Sequence, residues 1–447
     1  MPTDRRADRP NVIIIGGGFG GLAAARALRG VDANVAVLDR ANHHLFQPLL
    51  YQVATASLSP ASISQPIRAV LRDPGDAIVT LAEVTGIDLA EARVEVEDGA
   101  IPFDYLVLAA GVGQTYFGNG GWAEHAPGLK SIADATEIRR RMLLAFESAE
   151  HEGDPDAQRA LLTFAIVGGG PTGVELAGAI KEIAGRTLPR EYKNIDTATA
   201  RVILIQGGSR LLESFPEKLS RRAAADLGRL GVEVRLESTV TDVSADGVRV
   251  GEEFIAANNV FWAAGVRAAP IAETLGVPLD GSGRVIVEPD LHIAGHERVF
   301  VVGDLASFTP AGADHALPGV AQVAMQMGQH AGRAIRAELE SSGPLPERGT
   351  FRYRDKGSMA IIGRNRAVAS IGGLQVAGFP AWLLWAGVHI AFLVGFRNRV
   401  RVLFNWACSW LLNSHDARLI VGDARMRVRL PKGPGFVAKN RADPDTP

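Results

Sequence analysis

NVIIIGGGFGGLAAARALRGVDANVAVLD, residues 11–39, decides the fold. Residues 12–15 are a continuous β-branched run, as a parallel strand covered on both faces requires. Gly16, Gly18 and Gly21 follow as G-x-G-x-x-G. An alanine-rich helix over 22–28 comes next, then a second apolar strand over 35–38 that ends at Asp39. Each part has a physical task. Gly16 permits the tight turn, Gly18 lets the backbone approach a pyrophosphate, and Gly21 lets helix and strand pack closely. The helix N-terminus offers free N–H groups and a partial positive charge to phosphates. An acid about 20 residues past the turn takes ribose hydroxyls, and Asp39 stands there. The glycines alone would fit an ordinary turn; strand, turn, helix, strand and acid in order point to a dinucleotide site.

The chain has 447 residues, room for two or three domains, and its 47% hydrophobic and 21% charged content is that of a globular protein. The net charge of −2 gives no support to nucleic-acid binding. The charge is uneven: from Arg397 onward the chain carries +6, against −8 before it. Cys408 is the only cysteine, so no intrachain disulfide forms and dithiol chemistry is excluded. The polar start, MPTDRRADRP, carries no signal-peptide pattern.

The opening unit is repeated. Residues 163–167 are a strand, GGGPTGVELAGAI follows with Gly168, Gly170 and Gly173 at the same spacing, and the next strand, 201–205, ends at Gln206. Two such units suggest two nucleotides held face to face; a duplicated fold with one dead site is the alternative. Gln206 departs from the pattern. An amide does not repel a 2′-phosphate, and Ser209 and Arg210 nearby could receive one, so relaxed discrimination between NADH and NADPH is expected.

Between these units, residues 41–60 form a loop. Its His43 and His44 have no metal-spaced partners, so a loop folded along a cofactor is favoured over a metal site. Short strands are expected over 77–98, and buried strands over 104–110, 258–265 and 298–304, the last ending at Asp304. Residues 317–335 read as a helix whose small residues would let its first turn approach a flat ring. Gln322 and Gln326, four apart, share one face that could hydrogen-bond a carbonyl-bearing substrate.

From about Glu347, strands are expected over 351–353, 359–362 and 367–371, with Lys356 in the first turn. Residues 379–396 then hold no Asp, Glu, Lys or Arg, but a helix starting at Pro380 would span only about 24 Å of a roughly 30 Å hydrocarbon core. A second apolar segment, 400–412, carries Trp406 and Trp410, and Arg397, Arg399 and Arg401 separate the two. Tryptophans with flanking arginines fit helices lying in the headgroup layer; a dimer interface or core helix pair is the alternative.

Taken as a set, GGGFGG, HHLFQPLLYQVAT, VGGGPTGVELAG, WAAGV, FVVGDLA, AQVAMQ and DKGSMAIIGRN stand in an order that resembles the type II NADH:quinone oxidoreductases over nearly the whole chain. AQVAMQ, residues 321–326, is similar to that family's quinone motif and is more specific than either glycine fingerprint. The resemblance implies an α/β fold of two Rossmann-like dinucleotide-binding domains (glutathione-reductase-like), with a C-terminal membrane-attachment domain. FAD would be bound by residues 1–115 and 290–345, NAD(P)H by 116–289, and lipid by 346–447 through 379–412 and the basic C-terminus. The implied FAD contacts are Gly16, Gly18, Gly20, Gly21, Asp39, Arg40, Asp304, Ala321, Gln322 and Lys356. NADH, or NADPH, would lie along Gly168, Gly170, Gly173, Gln206 and Gly265. Glu175 matches the glutamate close to nicotinamide and flavin, and Gln322 and Gln326 match the quinone-side amides.

The expected activity is hydride transfer from NAD(P)H to flavin and then reduction of quinone, without proton pumping, by a homodimer peripheral to the cytoplasmic face of the cell membrane. Two other readings remain open from the residues alone: a membrane-docked NAD(P)H-binding flavoprotein that senses redox state, and a soluble ferredoxin-type NAD(P)H reductase, for which the Trp-rich C-terminus would be idle.

Overall fold

The computed structural model describes residues 9–412 and 417–421. The opening stretch folds as β1 (Asn11–Ile15), α1 (Phe19–Ala27) and β2 (Asn34–Asp39). β1 lies at the middle of a six-stranded sheet, ordered His292–Ile293, His296–Val301, Tyr105–Leu108, β1, β2, Ile78–Leu81. Every pairing but the outermost, His292–Ile293 on His296–Val301, is parallel. Val12 and Ile14 on β1 and Leu106, Val107 and Leu108 beside it have no exposed surface, which is why their sequences read as unbroken apolar runs.

The repeat builds β3 (Thr163–Val167), α2 (Pro171–Glu182) and β4 (Arg201–Ile205). They form a second parallel sheet, ordered Val232–Arg235, β4, β3, Asn259–Trp262. The duplication runs further than the glycine turns. Each unit also carries a three-stranded antiparallel meander, over 84–102 in the first and 240–256 in the second. The units are joined by an antiparallel strand pair, Val112–Gln114 on Val266–Ala268.

The chain returns to the first sheet and enters α3 (Ala321–Leu339). Beyond its first turn the small residues have a second use. Gly328 and Gly332 face α1, where a Cβ on Gly328 would strike the Gly20 backbone and one on Gly332 would lie 2.7 Å from the Ala27 Cβ. The stripe is a close helix–helix contact.

The C-terminal part is an antiparallel sheet, β5 (Ser358–Gly363), β6 (Arg366–Ile371) and β7 (Leu374–Gly378), followed by α4 (Phe379–Phe392) and α5 (Phe396–Leu412). The strand expected at 351–353 is absent; that segment is extended without a ladder partner, held by Phe351 N–H to Pro289 O at 2.7 Å and by the burial of Phe351. Arg397, Arg399 and Arg401 lie within α5 rather than between two helices. The break falls at 393–395, where Gly395 adopts φ +89°.

Candidate active site

The two glycine turns use the same geometry. Gly16 has φ +103° and Gly168 +111°. A Cβ on Gly16 would lie 2.8 Å from the Ala109 carbonyl carbon, and one on Gly168 2.7 Å from that of Ala263. Gly21 and Gly173 each face the carbonyl of the first glycine of their own turn with no room for a side chain. Gly18 and Gly170, by contrast, are N-caps that form no side-chain bond and face open space, where a pyrophosphate could approach the helix N-terminus. Gly20 packs its bare Cα against Val302 and Ala324.

At the first turn the Asp39 carboxylate accepts from Gly17 N–H at 2.6 Å and from Ala41 N–H at 2.7 Å, and Arg40 is exposed beside it. His44 donates its Nδ1–H to Gly17 O at 3.1 Å, and burial pushes its pKa down, so the ring is a neutral support of the turn. No group of His, Cys, Asp or Glu among the described residues is arranged to hold a metal ion.

Asp304 sits in a one-turn helix just past His296–Val301 and next to the start of α3: a Cβ on Gly303 would touch Ala324, and one on Gly319 would touch the Asp304 carboxyl. Among the described residues its carboxylate makes no hydrogen bond. Burial raises its pKa, opposed by Lys130 and Arg284. Val320 offers α3 no side-chain cap, so the N–H groups of Ala321 and Gln322 are available beside it. An unsatisfied carboxylate, open donors and a cradle at Gly18 are the features a flavin nucleotide needs, and these residues fit one. Lys130 was not singled out by the sequence, since a lone lysine before a helix carries no signal; burial lowers its pKa and Asp304 opposes that.

Gln322 and Gln326 do share a face of α3, but their amides are engaged. Gln322 donates to Gly357 O (2.8 Å) and accepts from Lys356 N–H (3.2 Å). Gln326 donates to Arg354 O (3.0 Å) and accepts from Arg354 N–H (3.0 Å). They clamp the 354–357 strap to α3, which places the Lys356 ammonium 5.6 Å from the Phe392 ring centroid on α4.

Glu175 lies on α2 where it crosses β5. Gly178, one turn on, makes that crossing close, because a Cβ there would fall on the Ile362 carbonyl. Glu175 accepts a long bond from Ile361 N–H, 3.4 Å, and desolvation outweighs it, pushing the carboxyl up to about 8. Glu175 opens on a cavity of about 130 Å³ lined also by Tyr51, Gln52, Glu182, Trp385 and Trp406. Gln52 donates to Tyr51 Oη (2.8 Å) and accepts from Trp406 Nε1–H (2.7 Å), so both sequence repeats and the C-terminal helices meet there. Gln322 and Gln326 do not line it.

Trp385 is only 2% exposed and lies 5.2 Å from Trp406, so these two tryptophans face inward rather than toward lipid. The outward face of α4 and α5 instead shows Leu383, Leu384, Phe392, Phe396, Leu403 and Phe404. No helix among the described residues is long and apolar enough to cross a membrane. The basic residues from Arg425 onward lie outside the described residues.

At the second turn Gln206 takes the place of Asp39: its Oε1 accepts from Gly169 N–H at 2.7 Å. Arg210, expected to be free for a 2′-phosphate, is engaged by backbone carbonyls, at 2.8 Å from Phe215 O and 2.5 Å from Glu213 O. Gly265, φ +72°, is packed beneath Thr115 and Phe117 where the units join, and its carbonyl accepts from Gln114.

Two parallel-sheet dinucleotide folds in tandem, each with an open glycine turn, define a pyridine-nucleotide oxidoreductase. Residues 10–328 match the family described as Pyridine nucleotide-disulphide oxidoreductase, and 356–415 match the NDH2 C-terminal domain. The chain is 46% identical to the type II NADH:quinone oxidoreductase Ndh of Mycobacterium tuberculosis, over 96% of this chain and 94% of that one. It is 29% identical to an internal alternative NAD(P)H-ubiquinone oxidoreductase of Arabidopsis thaliana, over 94% and 87%. In fold it matches NDH2 of Plasmodium falciparum, solved with NADH, at TM-score 0.83 and 18% identity, covering 93% of this chain and all of that one. The chain belongs to the type II NADH:quinone oxidoreductases, within the pyridine nucleotide-disulphide oxidoreductase family.

Proposed function

We propose that this chain is an FAD-dependent, non-proton-pumping enzyme that oxidises NADH and reduces a membrane quinone, docked peripherally on the cytoplasmic face of the membrane. Residues 1–115 and 290–345 would bind FAD, 116–289 the nicotinamide nucleotide, and 346–447 the lipid surface. The observation that carries this is the Glu175 cavity, where both dinucleotide units meet inward-facing tryptophans under an outward apolar face. A flavin accepts a hydride and passes electrons onward, which a nicotinamide and a quinone do not readily do directly. The chain's own residues hold and shield. Gly18 and the α1 N-terminus take one pyrophosphate, Asp39 takes ribose hydroxyls, and Asp304 with the first turn of α3 takes the polar groups beyond. Gly170 and the α2 N-terminus do the same for the second nucleotide. Glu175, protonated at neutral pH, can donate a hydrogen bond from its carboxyl into the cavity. Leu383, Leu384, Phe396 and Phe404 would enter the interface between lipid headgroups and chains, and the quinone would reach the cavity from there.

The test is steady-state NADH oxidation by the yellow purified protein, with a soluble quinone and with ferricyanide. Trp406→Ala should slow the quinone reaction and spare the ferricyanide one, and Gln326→Ala should do the same by loosening the 354–357 strap. Equal loss of both activities in both variants contradicts the assignment. Slow turnover with a stable charge-transfer complex would instead mark a redox sensor.

A further inference from the structure

The neutral residue at the end of β4 does not leave the second nucleotide site neutral. Gln206 Nε2 donates to Glu213 Oε1 at 3.0 Å, so a carboxylate stands one hydrogen bond from where the strand-end acid of such units is expected. The 207–215 loop is built to hold it there. Leu212, with φ +51°, turns the chain back and donates its N–H to Gly169 O at 2.8 Å, tying the loop to the glycine turn. Gly208 leaves the space that the Glu213 carboxylate fills, since a Cβ there would strike Oε1. Arg210 braces the loop from inside through Phe215 O, Glu213 O and, at 3.3 Å, Ser220 Oγ. Arg235, at the adjoining strand end, is held by Glu233 (2.6 Å) and Glu253 (2.7 Å). Both Arg210 and Arg235 are therefore occupied, and the charge bonded to the Gln206 amide is negative.

We propose that Glu213 is the residue that selects NADH over NADPH, accepting the adenosine ribose hydroxyls and repelling a 2′-phosphate, while Gln206 keeps the turn closed and aims the carboxylate. This rests on the reading that the 168–173 turn takes the nicotinamide nucleotide. It replaces the relaxed discrimination that the amide alone suggested.

The test is calorimetric titration of the flavin-loaded enzyme with NAD+ and with NADP+, alongside kcat/KM for NADH and NADPH. The unaltered protein should bind NAD+ well and NADP+ poorly. In Glu213→Gln, NADP+ affinity should rise about thirtyfold, from removing the repulsion between one charge and two about 4 Å apart in water. NAD+ affinity should fall about fivefold, from losing a charged acceptor for the ribose hydroxyls. Gln206→Glu should not raise the preference for NAD+, because the charge is already present. An unaltered protein that binds both nucleotides equally, or a Glu213→Gln variant with an unchanged NAD+ to NADP+ ratio, overturns the role of Glu213 and leaves the site intact. Binding of neither nucleotide overturns the site itself, and this inference with it.

Discussion

Glu175→Gln tests the most consequential electrostatic feature of the structure. Desolvation holds the Glu175 carboxyl at about 8 in the folded protein, against 4.5 when exposed. Between those values the folded chain keeps a proton that the unfolded chain has released. Stability from this group is therefore level below about pH 4.5, falls as pH rises toward 8 by at most about 1.4 kcal/mol per unit, and is level again above. Glutamine has the same shape and no such titration. Between about pH 5 and about pH 8 the stability difference should thus move in favour of the variant by about 4 kcal/mol. If the chain of 447 residues unfolds in one transition, that is a relative gain of about 4 °C in melting midpoint. The assay is thermal unfolding of both proteins in parallel by circular dichroism across that range. Glu182, whose pKa is also raised by burial, is common to both proteins and drops out of the difference, and Tyr51, raised by burial and by the charge of Glu175, stays protonated throughout that range. Curves that stay parallel to within about 1 °C would refute the reasoning: Glu175 would then be ionised at neutral pH and could not donate a hydrogen bond into the cavity.

Three further outcomes are expected. Gly178→Ala should push α2 off β5, because its Cβ has no room beside the Ile362 carbonyl; overpacking of this kind costs about 1–3 kcal/mol, read as a lower melting midpoint together with slowed quinone reduction. The double variant Gln322→Ala, Gln326→Ala removes four hydrogen bonds that hold the 354–357 strap, and the amides of Arg354 and Lys356 should exchange with deuterium far faster, seen by mass spectrometry. Arg348→Met should destabilise the protein by about 3 kcal/mol in denaturant unfolding, because it strips the cation from Glu338, which is buried, and from Asp290.

Local signals were legible and convergent ones were not. Both glycine turns and their strands lie where period and spacing put them, because each is a few consecutive residues with one backbone solution, whereas the strand expected to end at Asp304 stops at Val301 and Asp304 falls in the one-turn helix after it. The inward orientation of Trp385 and Trp406 could not be read. A tryptophan between apolar residues serves equally at a lipid surface or over a cavity, and only the α4–α5 packing decides. Gln322 and Gln326 were correctly placed on one face of α3, yet what that face meets depends on a strap 28 to 35 residues away. The small residues of α3 point to a close neighbour without naming it, and beyond the first turn that neighbour is α1, at Gly328 and Gly332. Gln206 by itself reads as a missing charge, and only the folded loop brings Glu213, seven residues on, against its amide.

That amide carries a wider lesson about how coenzyme preference is catalogued and redesigned. Asp39 and Gln206 close their turns through the same oxygen-to-amide bond, 2.6 and 2.7 Å long, although one side chain is ionic and the other is not. Closing the loop and setting the local potential are therefore separable duties. On the role proposed for Glu213, alignments that sort such reductases by the single letter at the strand terminus would misfile a sequence built like this one, and a swap at that position alone would leave the Glu213 carboxylate where it is.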